Sequence, residues 1–222
     1  MTEPRPPSSP TCFAAEFDPA FADPEQASDV ARWRSAERQR LLADRAAMSV
    51  ESRHVASHAI AGHLDRLLVG QFSSLRGLTI SAWWPIKAEL NLRAWLTGLA
   101  ARGAQAALPI VATKGAPLIF RLWTPETKME RGLWNIPVPA EGPEVTPDIT
   151  LAPVVGWDAA GYRLGYGGGY FDRTLAALAP QTFAVGVGLD AARIPTIFPQ
   201  PHDISMRFIV TETGPHTPRE HS

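Results

Sequence analysis

The stretch Gly161-Tyr-Arg-Leu-Gly-Tyr-Gly-Gly-Gly-Tyr-Phe-Asp-Arg173 decides how this chain is read. Four of its glycines, Gly165, Gly167, Gly168 and Gly169, fall within five residues. Before it, residues 148–157 carry Ile149, Leu151, Val154 and Val155, which predicts a buried strand. After it, residues 170–178 predict a helix. A glycine-rich turn between strand and helix permits positive φ and lets successive N–H groups converge on an anion. The N-terminal end of the helix adds a favourable dipole. Arg163 and Arg173 bring full positive charge. This is phosphate-loop chemistry, although it is neither the G-x-x-x-x-G-K-[ST] pattern nor the dinucleotide fingerprint. The plain alternative is a tight turn with no ligand, which has no use for the flanking Arg, Tyr and Asp. Asp172, in the first helical turn, either stabilises the dipole or holds a magnesium ion on a nucleotide phosphate.

Outward from that segment, strands and helices alternate. Helices are expected over 29–48, from a restart at Ser49 and Ser52 through Val55, Ala59, Leu64, Leu67 and Leu68, and over 92–99. Strands are expected over 77–84, 106–111, 117–122, 183–187 and 208–210. The alternation implies an α/β fold, a three-layer sandwich whose mostly parallel sheet is covered by helices on both faces. Ligands in such sheets sit at the carboxyl ends of the strands. Residues 1–27 hold Pro4, Pro6, Pro7, Pro10, Pro19 and Pro24 and read as a partly disordered extension that cannot hold a helix, with Phe13, Phe17 and Phe21 able to pin its second half. Residues 28–213 form the domain, and 214–222 read as a polar tail.

Composition narrows the function. Of 222 residues, 45% are apolar, enough for a substantial core. The 21 basic residues balance 22 acidic ones, and a net charge of −1 argues against a general nucleic-acid binder. The lone Cys12 excludes an internal disulfide and a cysteine-rich zinc site. No apolar run approaches the roughly 20 residues of a membrane helix, and the start, MTEPRPPSSPTC, has no apolar signal core. A soluble cytoplasmic protein, without membrane or nucleic-acid partners, is expected. His54 and His58 have metal-compatible spacing but no accompanying glutamate, so they read as solvated helix residues. Most of the seven tryptophans are assigned to the core, with Trp84 and Trp134 chosen for a flat-ring pocket. No serine or cysteine stands in a nucleophile motif.

The residues from Arg163 to Arg173 closely resemble the signature of the 5-formyltetrahydrofolate cyclo-ligase family. Trp84-Pro-Ile-Lys-Ala-Glu89, Leu108-Pro109, Pro117-Leu-Ile-Phe-Arg121, Pro201-His-Asp203, Ile209-Val-Thr-Glu212 and Arg45-Ala-Ala-Met-Ser49 resemble its other motifs in the same order, from about Arg34 to Glu212. The resemblance implies ATP-driven cyclisation of 5-formyltetrahydrofolate to 5,10-methenyltetrahydrofolate with magnesium. It implies a monomer whose small-molecule substrates are ATP and a reduced folate. Arg34 and Arg38 would face the nucleotide phosphates, and Trp84 would lie against the folate while Glu89 binds its pterin. The resemblance also implies that Arg163, Leu164, Gly165, Tyr166, Gly167, Gly168, Gly169, Tyr170 and Phe171 wrap ATP and the formyl group, with Arg163 and Tyr170 as catalytic residues. Arg38, Tyr166, Gly167, Gly168, Gly169 and Tyr170 would touch the folate as well, and Asp172 and Asp203 would hold magnesium. The chain departs from the family at Arg34, where lysine is usual, at Phe171 in place of a second tyrosine, and at Val138 in place of a glutamate. A divergent paralogue with another substrate and a non-catalytic folate- or nucleotide-binding regulator are the alternatives.

Overall fold

The computed structural model describes residues 24–218. The expected contacts of Phe13, Phe17 and Phe21 and the surroundings of Cys12 lie outside them. Helix α1 spans Pro24–Ala47 and helix α2 Val50–Phe72. The helix expected from residue 29 thus begins inside the proline-rich stretch. Proline is tolerated at a first helical position, where its missing N–H has no partner to lose. Ser49 caps α2, its hydroxyl accepting the Ser52 N–H at 2.9 Å. The buried stripe of α2 is Ala56, Ile60, Leu64 and Leu68, one face at i, i+4 spacing, while Val55 points to solvent. His54 and His58 are exposed, as expected of solvated positions.

The sheet begins with β1 (Thr79–Ser81), followed by the short helix α3 (Arg93–Gly98), β2 (Gln105–Ile110) and β3 (Ile119–Trp123). Two small strands, β4 (Met129–Arg131) and β5 (Pro137–Pro139), pair as a hairpin. Then come β6 (Ile149–Pro153), a second hairpin of β7 (Gly156–Trp157) and β8 (Arg163–Leu164), and helix α4 (Tyr170–Leu178). Strands β9 (Phe183–Val187), β10 (Phe208–Thr211) and β11 (Gly214–His216) complete the chain. Strand β11 occupies the start of the expected polar tail. There Thr211 and Gly214 pair in a tight antiparallel return of β10.

The main sheet has seven strands in the order β11-β10-β9-β6-β1-β2-β3. Its five central strands run parallel, and each edge is closed by an antiparallel strand. The connection β1–α3–β2 steps one way from the centre, and β6–α4–β9 steps the other way. Right-handed crossovers then put α3 and α4 on opposite faces. Helix α2 shares the face of α3, where the Trp95 indole N–H donates to Asp65 Oδ1 at 2.6 Å. Between β1 and β6 the crossovers diverge, and the chain leaves a crevice at the carboxyl ends of both strands. Among the described residues no helix is long and apolar enough to cross a membrane.

One buried carboxylate organises the walls of that crevice. Asp158 is 3% exposed, and it accepts the N–H groups of Ala160, Tyr162 and Ile197 at 3.1, 3.2 and 3.0 Å. It thereby shapes the β7–β8 turn and ties it to the segment 194–206. Replacing Asp158 with alanine leaves three amides without their acceptor, and hydrogen bonds to charged groups contribute about 1.5–3 kcal/mol each. Asp158→Ala is expected to lower stability by roughly 4–5 kcal/mol, read as a reduced urea midpoint with an unchanged slope.

Candidate active site

The glycine-rich loop joins β8 to α4 beside the crevice. Gly167 and Gly169 have φ of +93° and +63°, left-handed values that glycine adopts without strain. At Gly168 a Cβ would come within 2.8 Å of the Tyr170 ring. The N–H groups of residues 165–169 donate to no acceptor among the described residues, and 166, 167 and 168 are exposed. The loop is therefore open, with a run of free donors at a helix N-terminus. Two guanidinium groups border it. Arg38 Nε donates to the Gly165 carbonyl at 2.6 Å, and Arg173 Nη2 donates to the Gly168 carbonyl at 2.6 Å. Burial, and then the charge of Arg34, pull the Arg38 pKa down from its usual value, so this cation gains from an anion placed beside it.

Arg34 lies one turn before Arg38 and faces a different partner. Its Nε and Nη2 donate to the carbonyls of Ile197 and Phe198, both at 2.8 Å, and its guanidinium pairs with Asp203. Arg163 is also buried, 5% exposed. Its Nη1 donates to the Ile204 carbonyl at 2.9 Å, and its Nη2 lies 3.0 Å from Asp172 Oδ1 without being aimed at it. Burial, the largest influence, lowers the Arg163 pKa, against the raising effect of Asp172 and Asp203. Two ion pairs, one from α1 and one from β8, thus clamp the segment 194–206 against the loop. Both arginines reach this segment rather than the open side of the glycines.

The same contacts decide what a metal would find. Asp203 has Oδ1 engaged by Arg34, and its Oδ2 takes Arg34 and the Gln200 N–H. Asp172 uses Oδ1 for the Ile204 N–H at 3.2 Å, and its other oxygen has no partner among the described residues. No group of three His, Cys, Asp or Glu side chains comes together among the described residues. Magnesium is content with one or two carboxylates when phosphate oxygens and water complete its shell. The residues therefore fit Asp172 as a ligand, and Asp203 as the acceptor of an arginine clamp.

A cavity of about 270 Å³ fills the crevice. Its walls come from α1 (Leu41, Arg45), the end of β1 (Trp83, Glu89) and the ends of β6 and β9 (Val154, Gly188). Glu89 is 8% exposed, with Oε2 accepting the Ile86 N–H at 2.9 Å. Burial raises its pKa above the usual carboxylate range, opposed by hydrogen bonding from Ile86 and Tyr166 and by the charges of Arg45 and Lys87. A buried carboxylate with few donors suits a flat ring bearing adjacent N–H groups.

Trp84 lies elsewhere. It lines a separate pocket of about 350 Å³ with Trp123 and Met129, and the Arg93 guanidinium covers its ring at 4.3 Å. Trp83 is the tryptophan at the cavity, because neighbouring residues of an extended chain face opposite ways. Trp134 stands 62% exposed on a left-handed turn (φ +55°), edge-on to Tyr170 at 5.5 Å. The Tyr170 hydroxyl accepts the Gly115 N–H at 3.3 Å, so this ring closes the far side of the loop. Leu164 and Phe171 face inward, Leu164 fully buried and Phe171 packed on the core. Arg45, the first residue of the Arg45–Ser49 motif, joins the site although the resemblance gave it no role. A signal for it exists, since 34, 38, 41 and 45 share one helix face.

The family model for the 5-formyltetrahydrofolate cyclo-ligase family matches residues 30–212. This chain belongs to that family. The cyclo-ligase family is one of ATP-dependent ligases, and its match spans the open loop, both arginine clamps and the Glu89 cavity. A 5-formyltetrahydrofolate cyclo-ligase of Mycolicibacterium smegmatis is 30% identical over 188 residues, 81% of this chain and 94% of that protein. One of Haemophilus influenzae is 28% identical over 152 residues, 65% of this chain and 78% of that protein. Among solved structures, the Aquifex aeolicus 5,10-methenyltetrahydrofolate synthetase superposes with a TM-score of 0.71 at 26% identity, covering 85% of this chain and 94% of that one. The Mycoplasma pneumoniae synthetase shares the fold, with a TM-score of 0.64 at 22% identity, covering 81% of this chain and 98% of that one.

A carboxylate with a raised pKa binds its proton more tightly when folded, so it costs stability as pH rises from the unfolded value through the folded one. Glu89→Gln removes that cost. The variant is expected to melt about 2 °C above the native protein at pH 8 and together with it at pH 4, as differential scanning calorimetry would show. A lower melting point at pH 8 would contradict the burial argument.

Proposed function

We propose that the protein closes 5-formyltetrahydrofolate to 5,10-methenyltetrahydrofolate in the cytoplasm, with ATP converted to ADP and phosphate. The observation that carries this reading is the adjacency of two unlike sites. One is an open loop of free N–H donors edged by Arg38 and Arg173. The other is a mostly apolar cavity with one buried carboxylate, Glu89. The first suits a triphosphate and the second a reduced pterin.

The chemistry needs both. A formamide oxygen is a poor leaving group. In the proposed reaction that oxygen attacks the γ-phosphorus as ADP departs, while the N5 lone pair moves into the bond to carbon. The folate N10 then attacks this carbon, loses its proton, and the C–O bond breaks to release phosphate. No protein nucleophile is required, since phosphoryl transfer depends on positioning and charge neutralisation. The loop amides and Arg38 would take the phosphate charge that spreads in the transition state. Glu89 would fix the pterin by its N–H groups. Arg163 would act through Asp172 and the segment it anchors, as a positioning residue. Asp172 would hold magnesium, which would supply a further positive charge to the substrate phosphates.

The test is turnover of 5-formyltetrahydrofolate with ATP and magnesium, followed by the long-wavelength absorbance of the methenyl product. Asp172→Ala is expected to lose at least ~100-fold in kcat, in line with removal of one charge-stabilising group. Glu89→Gln is expected to raise KM for the folate about tenfold and to leave KM for ATP within a factor of roughly two. Equal losses for both substrates in the Glu89 variant would place that side chain elsewhere. ATP binding by calorimetry without any turnover would favour a paralogue acting on another compound.

A further inference from the structure

The pocket of about 350 Å³ beside Trp84 has Arg93, Thr97, Trp123, Thr127 and Met129 among its other walls. The Trp84 and Trp123 rings stand 76° apart with centroids 6.3 Å from each other, and together they form an indole corner. Trp123 is buried, which seats that corner firmly in the fold. The Arg93 guanidinium lies on the Trp84 ring at 4.3 Å. The Arg93 main chain is fixed where α3 begins. Its N–H donates to Asn91 Oδ1 at 3.1 Å, and its carbonyl accepts the Thr97 hydroxyl at 3.0 Å. Among the described residues this guanidinium makes no ion pair, and no acid stands in the pocket wall. Stacking uses the face of a planar guanidinium and leaves its in-plane N–H groups for a partner.

We propose that this pocket is the subsite for the aminobenzoylglutamate end of the folate, with the benzoyl ring in the indole corner and a tail carboxylate on Arg93. The inference rests on the function proposed above and deepens it, because it places the half of the substrate that the Glu89 cavity leaves out. That cavity, at about 270 Å³, falls below the roughly 300–1,000 Å³ of a site that encloses a whole drug-sized ligand. It has room for the pterin head, and the benzoyl ring and glutamate lie beyond it. The two cavities share one partition. Trp83 faces the first and Trp84 the second, and a single peptide bond joins these two residues. A molecule with its head in the first therefore has the second within reach of its tail. Each wall matches the part assigned to it. The Glu89 carboxylate accepts N–H groups, which the head carries. Arg93 offers N–H groups and a positive charge, which suit the two carboxylates of the tail. An aromatic ring packs well against the faces and edges of two indoles.

Arg93→Gln keeps a hydrogen-bonding side chain and removes the charge. Its KM for the folate is expected to rise about tenfold, while kcat stays within a factor of roughly two, since an interaction equal in ground and transition states acts on KM alone. The comparison substrate is the diamide of the same folate, in which both tail carboxylates are neutral. The native protein is expected to show a KM about tenfold higher for the diamide than for the acid, and in Arg93→Gln the two values are expected to converge. Arg93→Lys, which restores the charge without the planar fork, is expected to recover part of the preference for the acid. Trp84→Leu is expected to raise KM for acid and diamide alike, because both share the ring contact. In a separate arm, free N-(4-aminobenzoyl)glutamate is titrated by calorimetry into the full-length native protein and Arg93→Gln. It is expected to bind the variant about tenfold more weakly.

A native protein that treats acid and diamide alike, or an Arg93→Gln protein that keeps the native preference for the acid, overturns the subsite and leaves the cyclo-ligase reading standing. Equal KM losses for the folate and for ATP in Arg93→Gln mark a structural role and also count against the proposal. A native protein that does not turn over the folate overturns the cyclo-ligase reading instead. The calorimetric arm then decides the pocket by itself: binding that depends on Arg93 keeps a site for aromatic acids, and no binding removes it.

Discussion

The parallel pairing of β1 with β6 is the constraint on which the rest depends. Their register, Ile80 with Ile149 and Ser81 with Thr150, brings two strand ends side by side from distant parts of the sequence. The chain leaves those ends in opposite directions, so no crossover helix can cover the gap between them. Everything that makes the site lies within reach of that gap. Glu89 follows one strand end, and the β7–β8 hairpin and glycine loop follow the other. Helix α1 lies across both and supplies Leu41 and Arg45 to the cavity.

An open crevice between strand ends needs its walls held from outside, and matched charges hold them. Arg34 with Asp203, and Arg163 with Asp172, fasten the segment 194–206 from two sides. Asp158 fastens it from a third through the Ile197 amide. Buried ion pairs add little net stability, because desolvation offsets their attraction, but they define one arrangement and penalise others strongly. In the proposed reaction, the triphosphate would then meet walls whose own charges are already matched. The loop amides and one oxygen of Asp172 are among the groups left without a partner among the described residues.

Much of this was legible in the chain. Helix α4 over 170–178 and strand β9 over 183–187 are found where their patterns place them. The glycine loop declares itself because four glycines in five residues sustain neither helix nor strand and leave the main chain bare before a helix start. The small hairpins were not legible, because two- and three-residue strands are too short to carry a periodicity, and β5 contains two prolines. The antiparallel direction of β3 is likewise absent from any local pattern. That Trp83 and not Trp84 reaches the cavity depends on which side of the extended segment after β1 meets the crevice, a property of strand order. The resemblance singled out Arg34 and Asp203 for separate tasks, and their mutual pairing across 169 positions is knowledge only the fold supplies.

The two antiparallel strands that close the sheet have a bearing on solubility. A parallel sheet of five strands has two raw borders, each a row of donors and acceptors to which another molecule can add a strand. Here one border is β11, only three residues long, with Pro215 in its middle contributing no N–H. A second copy approaching that side meets too few groups to zip onto, and the turn that brings β11 back along β10 therefore serves as a guard against self-association by strand addition.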